Sequence, residues 1–411
     1  MKGVVFSKEV AVAIDIGTTK ICVLVARCVN EQVEILGIGK APSDGLKKGV
    51  VVDVGRTVES IKAAVKEAEI MAGMPIEHAY IGISGGHIQS RSSQGMVLIK
   101  NGEVRATDIA QVITAARAIV IPEGQQVLHV LPQYFTLDSL QTVTDPLGMY
   151  AVRLEAQVHI ITGSIASVQN LMRCCELAGI KVVDIILEQL ASAYAVLSTN
   201  ERQLGVAMLD IGGGTSDLAL YHNNSIKHTM VLPVAGNHFT QDLAIGLQTT
   251  LHDAERVKKE YGLVYEKLLK DDGCIELASV NGLGKHIVLQ SEVVSILEAR
   301  AQEVLYLVYQ DIQKNNLLSF IPTGLVLTGG GALLGGINTL AEIIFKGPIR
   351  IGNPQLESPF AHMISSPIYA TAYGLLLHAL KKQDTATVDS LSGPLVLRVF
   401  TRMKSWVADF F

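Results

Sequence analysis

The chain has 411 residues, 49% of them hydrophobic and 18% charged, with a formal net charge of −5. That length supplies core for several domains, and the mild acidity argues against nucleic acid as a partner. The 5 cysteines are an odd number without a Cys-x-x-Cys pair, which fits a reduced compartment; neither a signal-peptide stretch nor an apolar run of about eighteen residues for a spanning helix is found.

Val10 to Ile16 and Ile21 to Cys28 read as strands flanking the turn Asp15-Ile16-Gly17-Thr18-Thr19-Lys20, with Val33 to Ile38 as a third strand. Asp53 is placed to cap a helix over Gly55 to Ala72, where Val58, Ile61, Val65, Ala68 and Met71 recur at helical spacing. Gly73 and Pro75 end it, and Ala79 to Ser84 is a further strand. Ser90 to about Thr162 has its own pattern: a helix near Thr107 to Ile119, and strands around Gln126 to Leu137 and over Ala156 to Ile161. It reads as an inserted subdomain, with His159 as a core histidine of an apolar strand. Residues 163 to 198 return to helix, strand and helix.

The opening pattern then recurs. Val206 to Ile211 and Ser216 to Tyr221 flank a second turn, Asp210-Ile211-Gly212-Gly213-Gly214-Thr215-Ser216-Asp217. Asn223-Asn224 signals a hairpin, Ser225 to Val234 is the third strand, and a helix begins near His238. A mostly helical stretch follows from about Phe239 to Asn315, with the charges of His252 to Lys270 on a solvated face. The strand Gly324 to Leu327 feeds a Gly-rich turn, Thr328 to Gly336, and a helix over Ile337 to Phe345. Pro367 to Leu380 is a helix whose small residues Ala370, Ala372 and Gly374 permit close approach of a neighbour. Lys381 to Gly393 is polar and aperiodic and reads as a flexible linker.

The two Asp-led turns carry the chemistry. Glycines let backbone come within contact distance of a ligand, and the amides of such a turn form an anion-binding concavity. The hydroxyls of Thr18, Thr19 and Thr215 add donors. Asp15 and Asp210, at strand tips, are placed to hold the water shell of Mg²⁺. Two such hairpins facing each other, with Gly17 and Lys20 in one and Gly212, Gly213 and Gly214 in the other, would clamp a polyphosphate. Gly329, Gly330 and Gly331 form a third site of backbone approach, suited to base and sugar, with Leu333 offering the base an apolar face. Glu255, Lys258 and Lys259 share one helix face, which suits ribose hydroxyls and base edges or an exposed salt-bridging face. Neither a P-loop nor a G-x-G-x-x-G is present, and the 11 histidines give no metal motif.

In the last segment, Val396, Phe400, Met403, Val407 and Phe410 recur at spacings of four and three, and Trp406 widens that stripe. Arg398, Arg402 and Lys404 flank it. Large aromatics with basic flanks describe a helix lying in a membrane interface; a terminal helix docked on the body is the plainer alternative.

Asp15-Ile-Gly-Thr-Thr, Asp210-Ile-Gly-Gly-Gly-Thr and Leu327-Thr-Gly-Gly-Gly resemble the two phosphate motifs and the adenosine motif of the actin, Hsp70 and sugar-kinase superfamily. Ile186-Leu-Glu-Gln-Leu-Ala-Ser-Ala and Ile368-Tyr-Ala-Thr-Ala-Tyr-Gly-Leu resemble its two connecting helices. More narrowly, the segment Asp145-Pro-Leu-Gly-Met-Tyr-Ala-Val-Arg-Leu-Glu-Ala-Gln-Val-His-Ile-Ile-Thr is similar to the FtsA family of bacterial cell-division proteins, and the similarity extends over essentially the whole chain.

That resemblance implies an α/β, actin-like ATPase fold: two RNase H-like domains with ATP and Mg²⁺ between them and an inserted 1C-type subdomain in place of the usual 1B. The implied division is 1A at 1–89 and 163–202 with part of the 367–380 helix, 1C at 90–162, 2A at 203–238 and 316–380, and 2B at 239–315. A linker at 381–393 and an amphipathic membrane-targeting helix at 394–411 complete it. Glu188 falls at the position that commonly orients the attacking water, and hydrolysis, if present, is expected to be weak or slow because no counterpart of the 1B lysine is identifiable. The implied partners are the C-terminal tail of FtsZ, further copies of the chain, later division proteins and an anionic membrane surface. The implied place is the cytoplasmic face of the inner membrane at the division site. Arg300, following Ile296 and Leu297 on a helix, is the candidate contact for the FtsZ tail; a helix packed in the core with the Arg reaching out to solvent is the equal alternative. Met149, Arg153 and Glu155 are candidate contacts of the insert. The rivals are another actin-like scaffold of rod-shape or pilus type and, more remotely, a sugar kinase.

Overall fold

The computed structural model describes residues 10–29, 32–280, 284–356 and 361–385. The 394–411 segment, with Arg398, Phe400, Arg402, Met403, Lys404, Trp406, Val407 and Phe410, lies outside them, as do linker residues 386–393.

The first half opens with β1 (Val10–Ile16), β2 (Lys20–Val29) and β3 (Gln32–Pro42), a small hairpin of β4 (Leu46–Lys47) and β5 (Val50–Val51), then α1 (Val54–Ala72) and β6 (His78–Ile83). The Asp53 carboxylate accepts from the Arg56 amide to cap α1, and Gly73 ends it in the left-handed region. The insert contributes β7 (Gln89–Leu98), α2 (Ala106–Arg117), β8 (Gln125–Leu137), β9 (Gln141–Val143) and β10 (Arg153–Ser164). The chain returns through α3 (Ile165–Leu177), β11 (Lys181–Leu187), α4 (Glu188–Val196) and α5 (Thr199–Leu204).

The second half runs β12 (Val206–Ile211), β13 (Ser216–His222), β14 (Ser225–Leu232), α6 (Gly236–Gly246), α7 (Leu251–Tyr261), β15 (Cys274–Ala278), β16 (Lys285–Leu289) and α8 (Gln290–Lys314). It closes with β17 (Leu325–Thr328), α9 (Ile337–Phe345), β18 (Ile349–Ile351), α10 (Ala361–Ile364) and α11 (Ala370–Thr385).

Two five-stranded sheets have the same topology, β11-β6-β1-β2-β3 and β14-β13-β12-β17-β18. In each, an antiparallel three-strand meander is extended by two parallel strands. The insert has its own sheet, β7-β10-β8-β9, and its own core, which includes Val112, Phe135, Leu154 and Ile160.

Between the halves lie α4 and α11. Nearly every residue of α4 is buried, as expected of a helix packed on several sides. A Cβ on Gly374 of α11 would drive into the backbone carbonyl of Ala191 of α4, so the two helices cross backbone to backbone. At the other end of α11, Lys382 Nζ pairs with Asp184 Oδ2 at 2.6 Å, both largely buried. This contact explains one correction: residues 381–385, read from sequence as the start of a linker, continue the helix.

The insert also leans on the second half. Gln133 of β8 donates to the carbonyls of Ile226 and Lys227 on β14, at 2.8 and 3.2 Å. Ser90 Oγ donates to the Thr229 carbonyl at 3.0 Å, and His159 Nε2 lies 2.9 Å from Thr229 Oγ1. His159 is a buried structural histidine, its pKa pushed down to about 4 by burial and by His228.

Several short or polar strands eluded the sequence reading, β7, β9, β15 and β16 among them. β7 is half exposed and polar, Gln-Ser-Arg-Ser-Ser-Gln over its first six residues, so it lacks an apolar signature. β9 has only three residues. The β15–β16 hairpin interrupts the stretch read as mostly helical.

Candidate functional site

A cleft of about 800 Å³ opens between the two sheets. Its floor is built from the two Asp-led hairpins, which close with the same turn: Gly17 N–H donates to the Lys20 carbonyl at 3.1 Å, and Gly212 N–H to the Thr215 carbonyl at 2.9 Å. The hairpins touch. A Cβ on Gly213 would lie 2.7 Å from Thr19 Oγ1, and one on Gly214 would lie 2.9 Å from Thr18 Cβ. A side chain at either glycine would press on these threonines. The Gly49 amide, at the tip of the β4–β5 hairpin, donates to Thr18 Oγ1 at 3.1 Å and steadies the first turn.

All the cleft residues named from sequence line this one space: Asp15, Gly17, Thr18, Thr19, Lys20, Glu188, Asp210, Gly212, Gly213, Gly214, Thr215, Glu255, Lys258, Lys259, Gly329, Gly330, Gly331 and Leu333. Arg300 stands elsewhere, on α8. Its guanidinium makes a bidentate pair with Asp242, with Nη2 2.9 Å from Oδ1, and also pairs with Glu303. Leu297, expected on an apolar docking stripe beside it, is instead fully buried in the core. Met149, Arg153 and Glu155 lie in the insert, where Arg153 Nη2 pairs with Glu155 Oε1 at 3.0 Å.

Four carboxyl groups converge on the floor. Asp210 and Asp217 are direct cross-strand partners on β12 and β13, an arrangement that like charges disfavour. Asp15 is answered by Lys20, whose Nζ lies 3.3 Å from Oδ2. Glu188, the first residue of α4, lies over Gly82 of β6. Burial, then Asp15, Asp217 and Asp210, push its pKa well above the carboxylate range against the pull of Lys20. Burial and Asp15 likewise raise Asp210, opposed by the Ser192 and Thr371 hydroxyls. Burial lifts Asp217 to about 7, with Asp210 and Asp15 adding to it, although Ser84 Oγ donates to its Oδ1 at 2.5 Å.

These shifts have a measurable sign. The folded chain keeps a proton on Asp217 up to about pH 7, whereas the ordinary value is 3.8. Between those values the unfolded chain binds fewer protons, so stability falls as pH rises. Asp217→Asn removes this penalty and still accepts from Ser84 through its amide oxygen. Without ligand it is expected to melt several degrees above wild type at pH 8, with the gap closing as the pH approaches 4.

Farther up the wall, Lys258 Nζ pairs with Glu255 Oε2 at 2.6 Å and donates to the Gly236 carbonyl at 3.1 Å, while Lys259 pairs with Glu255 Oε1 at 3.1 Å. This face therefore arrives already organised. Asp217, Ser84, Ser192 and Thr371 are participants that the sequence reading left without a role. The signal for Asp217 is an acid at an inward position of a strand that is otherwise apolar.

Two five-stranded sheets of repeated topology, an Asp-led hairpin entering each and paired helices crossing between them, define the actin-like ATPase fold. Solved chains share it. A PilM–PilN type IV pilus biogenesis complex matches with a TM-score of 0.65 at 18% identity, over 90% of this chain and 98% of that one. MreB5 of Spiroplasma citri bound to ADP matches with 0.58 at 16% identity, over 92% and 98%. The family model described as cell division protein FtsA matches residues 207–374, and the SHS2 domain inserted in FtsA matches residues 85–162. Cell division protein FtsA of Pseudomonas aeruginosa is 41% identical over 98% of this chain and 99% of its own length, and that of Escherichia coli K12 is 33% identical over the same shares. The Bacillus subtilis protein is 36% identical over 91% and 84%. This chain belongs to the FtsA family of bacterial cell-division proteins.

Proposed function

We propose that the chain binds ATP with Mg²⁺ in the cleft, self-associates on the inner membrane, tethers FtsZ polymers there and recruits later division proteins. The observation that carries the nucleotide reading is the contact of Gly213 and Gly214 with Thr19 and Thr18, which leaves two amide-rich turns facing one space. A volume of about 800 Å³ suits a nucleotide, and MreB5, of the same fold, was solved with ADP and with AMPPNP.

In this reading Thr18, Thr19, Gly212, Gly213, Gly214 and Thr215 hold phosphates, and Gly17 and Lys20 shape the first turn. Among the described residues no three His, Cys, Asp or Glu side chains converge as direct metal ligands. Asp15 and Asp210, both lining the cleft, suit a hydrated Mg²⁺ held through its waters, which supplies charge neutralisation when bound. Gly329, Gly330, Gly331 and Leu333 border the base, and Glu255, Lys258 and Lys259 the ribose. Glu188 orients the attacking water, and any turnover is slow.

The domain division given by the resemblance is retained as part of this proposal. In the 239–315 subdomain, Arg300 would exchange its Asp242 partner for an acidic group of the FtsZ tail, an amphipathic segment. The insert, through Met149, Arg153 and Glu155, would meet a neighbouring copy or a later division protein. Among the described residues no helix is long and apolar enough to cross a membrane. Membrane attachment is assigned to residues 394–411 on sequence grounds, as a weak anchor multiplied by avidity in a polymer.

Sedimentation with anionic vesicles tests the combination. The full chain is expected to pellet with vesicles, and more so with ATP·Mg²⁺. A chain ending at Ser392 is expected to stay in the supernatant. Equal pelleting of the two would overturn the membrane assignment, and indifference to ATP would overturn the nucleotide link.

A further inference from the structure

Two hydroxyls from different helices meet on one carboxylate oxygen. Ser192 of α4 donates to Asp210 Oδ2 at 2.5 Å, and Thr371 of α11 donates to the same oxygen at 3.1 Å. The two hydroxyl oxygens lie 3.0 Å apart, and all three side chains are buried. The other oxygen, Oδ1, lies on the Gly329 side, where a Cβ on that glycine would strike it. The node sits at the helix crossing: Ser192 follows Ala191, and Thr371 is one turn before Gly374. Glu188 is one turn before Ser192 on the same helix.

We propose that Ser192 and Thr371 are positioning residues that commit Oδ2 of Asp210 to the connecting helices, present Oδ1 to a hydrated Mg²⁺, and so tie Mg²⁺ engagement to the packing of α4 on α11. The proposal rests on the ATP·Mg²⁺ reading of the cleft. A carboxylate at a strand tip turns freely about its side-chain bonds and offers either oxygen. Two charge-assisted hydrogen bonds to one oxygen remove that freedom. Because the donors belong to two helices, the carboxylate is held by a joint and not by one rigid element. A ligand that prefers the held carboxylate favours the helix arrangement in which both hydroxyls reach it.

Partners of this kind around a metal site are typically worth about 10–100-fold in metal affinity. The test compares Thr371→Val, which keeps the shape and loses the hydroxyl, with Thr371→Ser, which keeps the hydroxyl and loses a methyl. Affinity for a fluorescent ATP analogue is measured on the full chain in Mg²⁺ and in EDTA. The gain in affinity that Mg²⁺ gives wild type is expected to fall about tenfold or more in Thr371→Val and to survive in Thr371→Ser. Affinities in EDTA are expected to match. Ser192→Ala should behave like Thr371→Val and carries the comparison if that variant does not fold, with melting curves reporting folding. An undiminished Mg²⁺ gain in the hydroxyl-deleted variants overturns the proposal. So does an equal loss in Thr371→Ser, which assigns the pair to packing. Wild type that binds the analogue in neither buffer overturns the nucleotide reading itself; wild type that binds equally in both overturns the role for Mg²⁺ alone.

Discussion

Gly213→Asp is expected to abolish nucleotide binding in a chain that still folds. The new Cβ would stand 2.7 Å from Thr19 Oγ1, and its carboxylate would enter a floor that already holds Asp15, Glu188, Asp210 and Asp217. A phosphate brought to this turn would meet a like charge at contact distance. At about 4 Å and an effective dielectric constant near 20 the repulsion is about 4 kcal/mol, which is roughly a thousandfold in affinity. The loss of backbone approach adds to it. Titration with a fluorescent ATP analogue reads the effect, and melting without nucleotide separates it from unfolding. Gly213→Ala, which adds bulk without charge, should lose less. Wild-type affinity in Gly213→Asp would show that phosphates do not lie at this turn.

Gly374→Ala is expected to destabilise the chain, although helix propensity alone predicts the opposite. In an exposed helix interior the change would stabilise by about 1 kcal/mol. Here the added Cβ meets the Ala191 carbonyl, a backbone atom that no rotamer change can move. The helices must separate, stretching the 3.0 Å contact between Ser192 and Thr371. Overpacking of this kind costs about 1–3 kcal/mol, more where backbone is struck. The expected fall in melting temperature is roughly 5–10 °C, at about 2–4 °C per kcal/mol for a large domain. A melting temperature equal to or above wild type would show that the two backbones are not in contact.

Much of the cleft is legible in the sequence because its parts are contiguous. Each hairpin is a strand, a Gly/Thr turn and a strand, Val10–Val29 and Val206–His222, and the alternation of apolar and turn residues reports it directly. Glu255, Lys258 and Lys259 are legible because a single helical turn aligns them. The node at Asp210 is not local: Ser192 and Thr371 are 18 and 161 residues from it and meet it only when two helices cross between domains. An isolated Ser or Thr on an apolar helix carries no pattern that points to a carboxylate. The small residues of α11 are the partial exception, since Gly374 in a helix announces a close neighbour without naming it. Arg300 marks another limit of local reading. Local spacing set it beside Leu297 on one stripe, but spacing cannot tell a stripe that faces solvent from one that faces the core, and Leu297 proved to be core.

The contacts of the insert on β14 bear on assembly. β14 ends its sheet, with β13 on one side only. The open edge of a terminal strand is a template on which another chain can lay a strand of its own. Here the carbonyls of Ile226, Lys227 and Thr229 are already taken by the side chains of Gln133 and Ser90. Side-chain donors satisfy these acceptors without extending the ladder, so the sheet is capped and not continued. A strand laid along this part of β14 would have to displace Gln133 and Ser90 from those carbonyls.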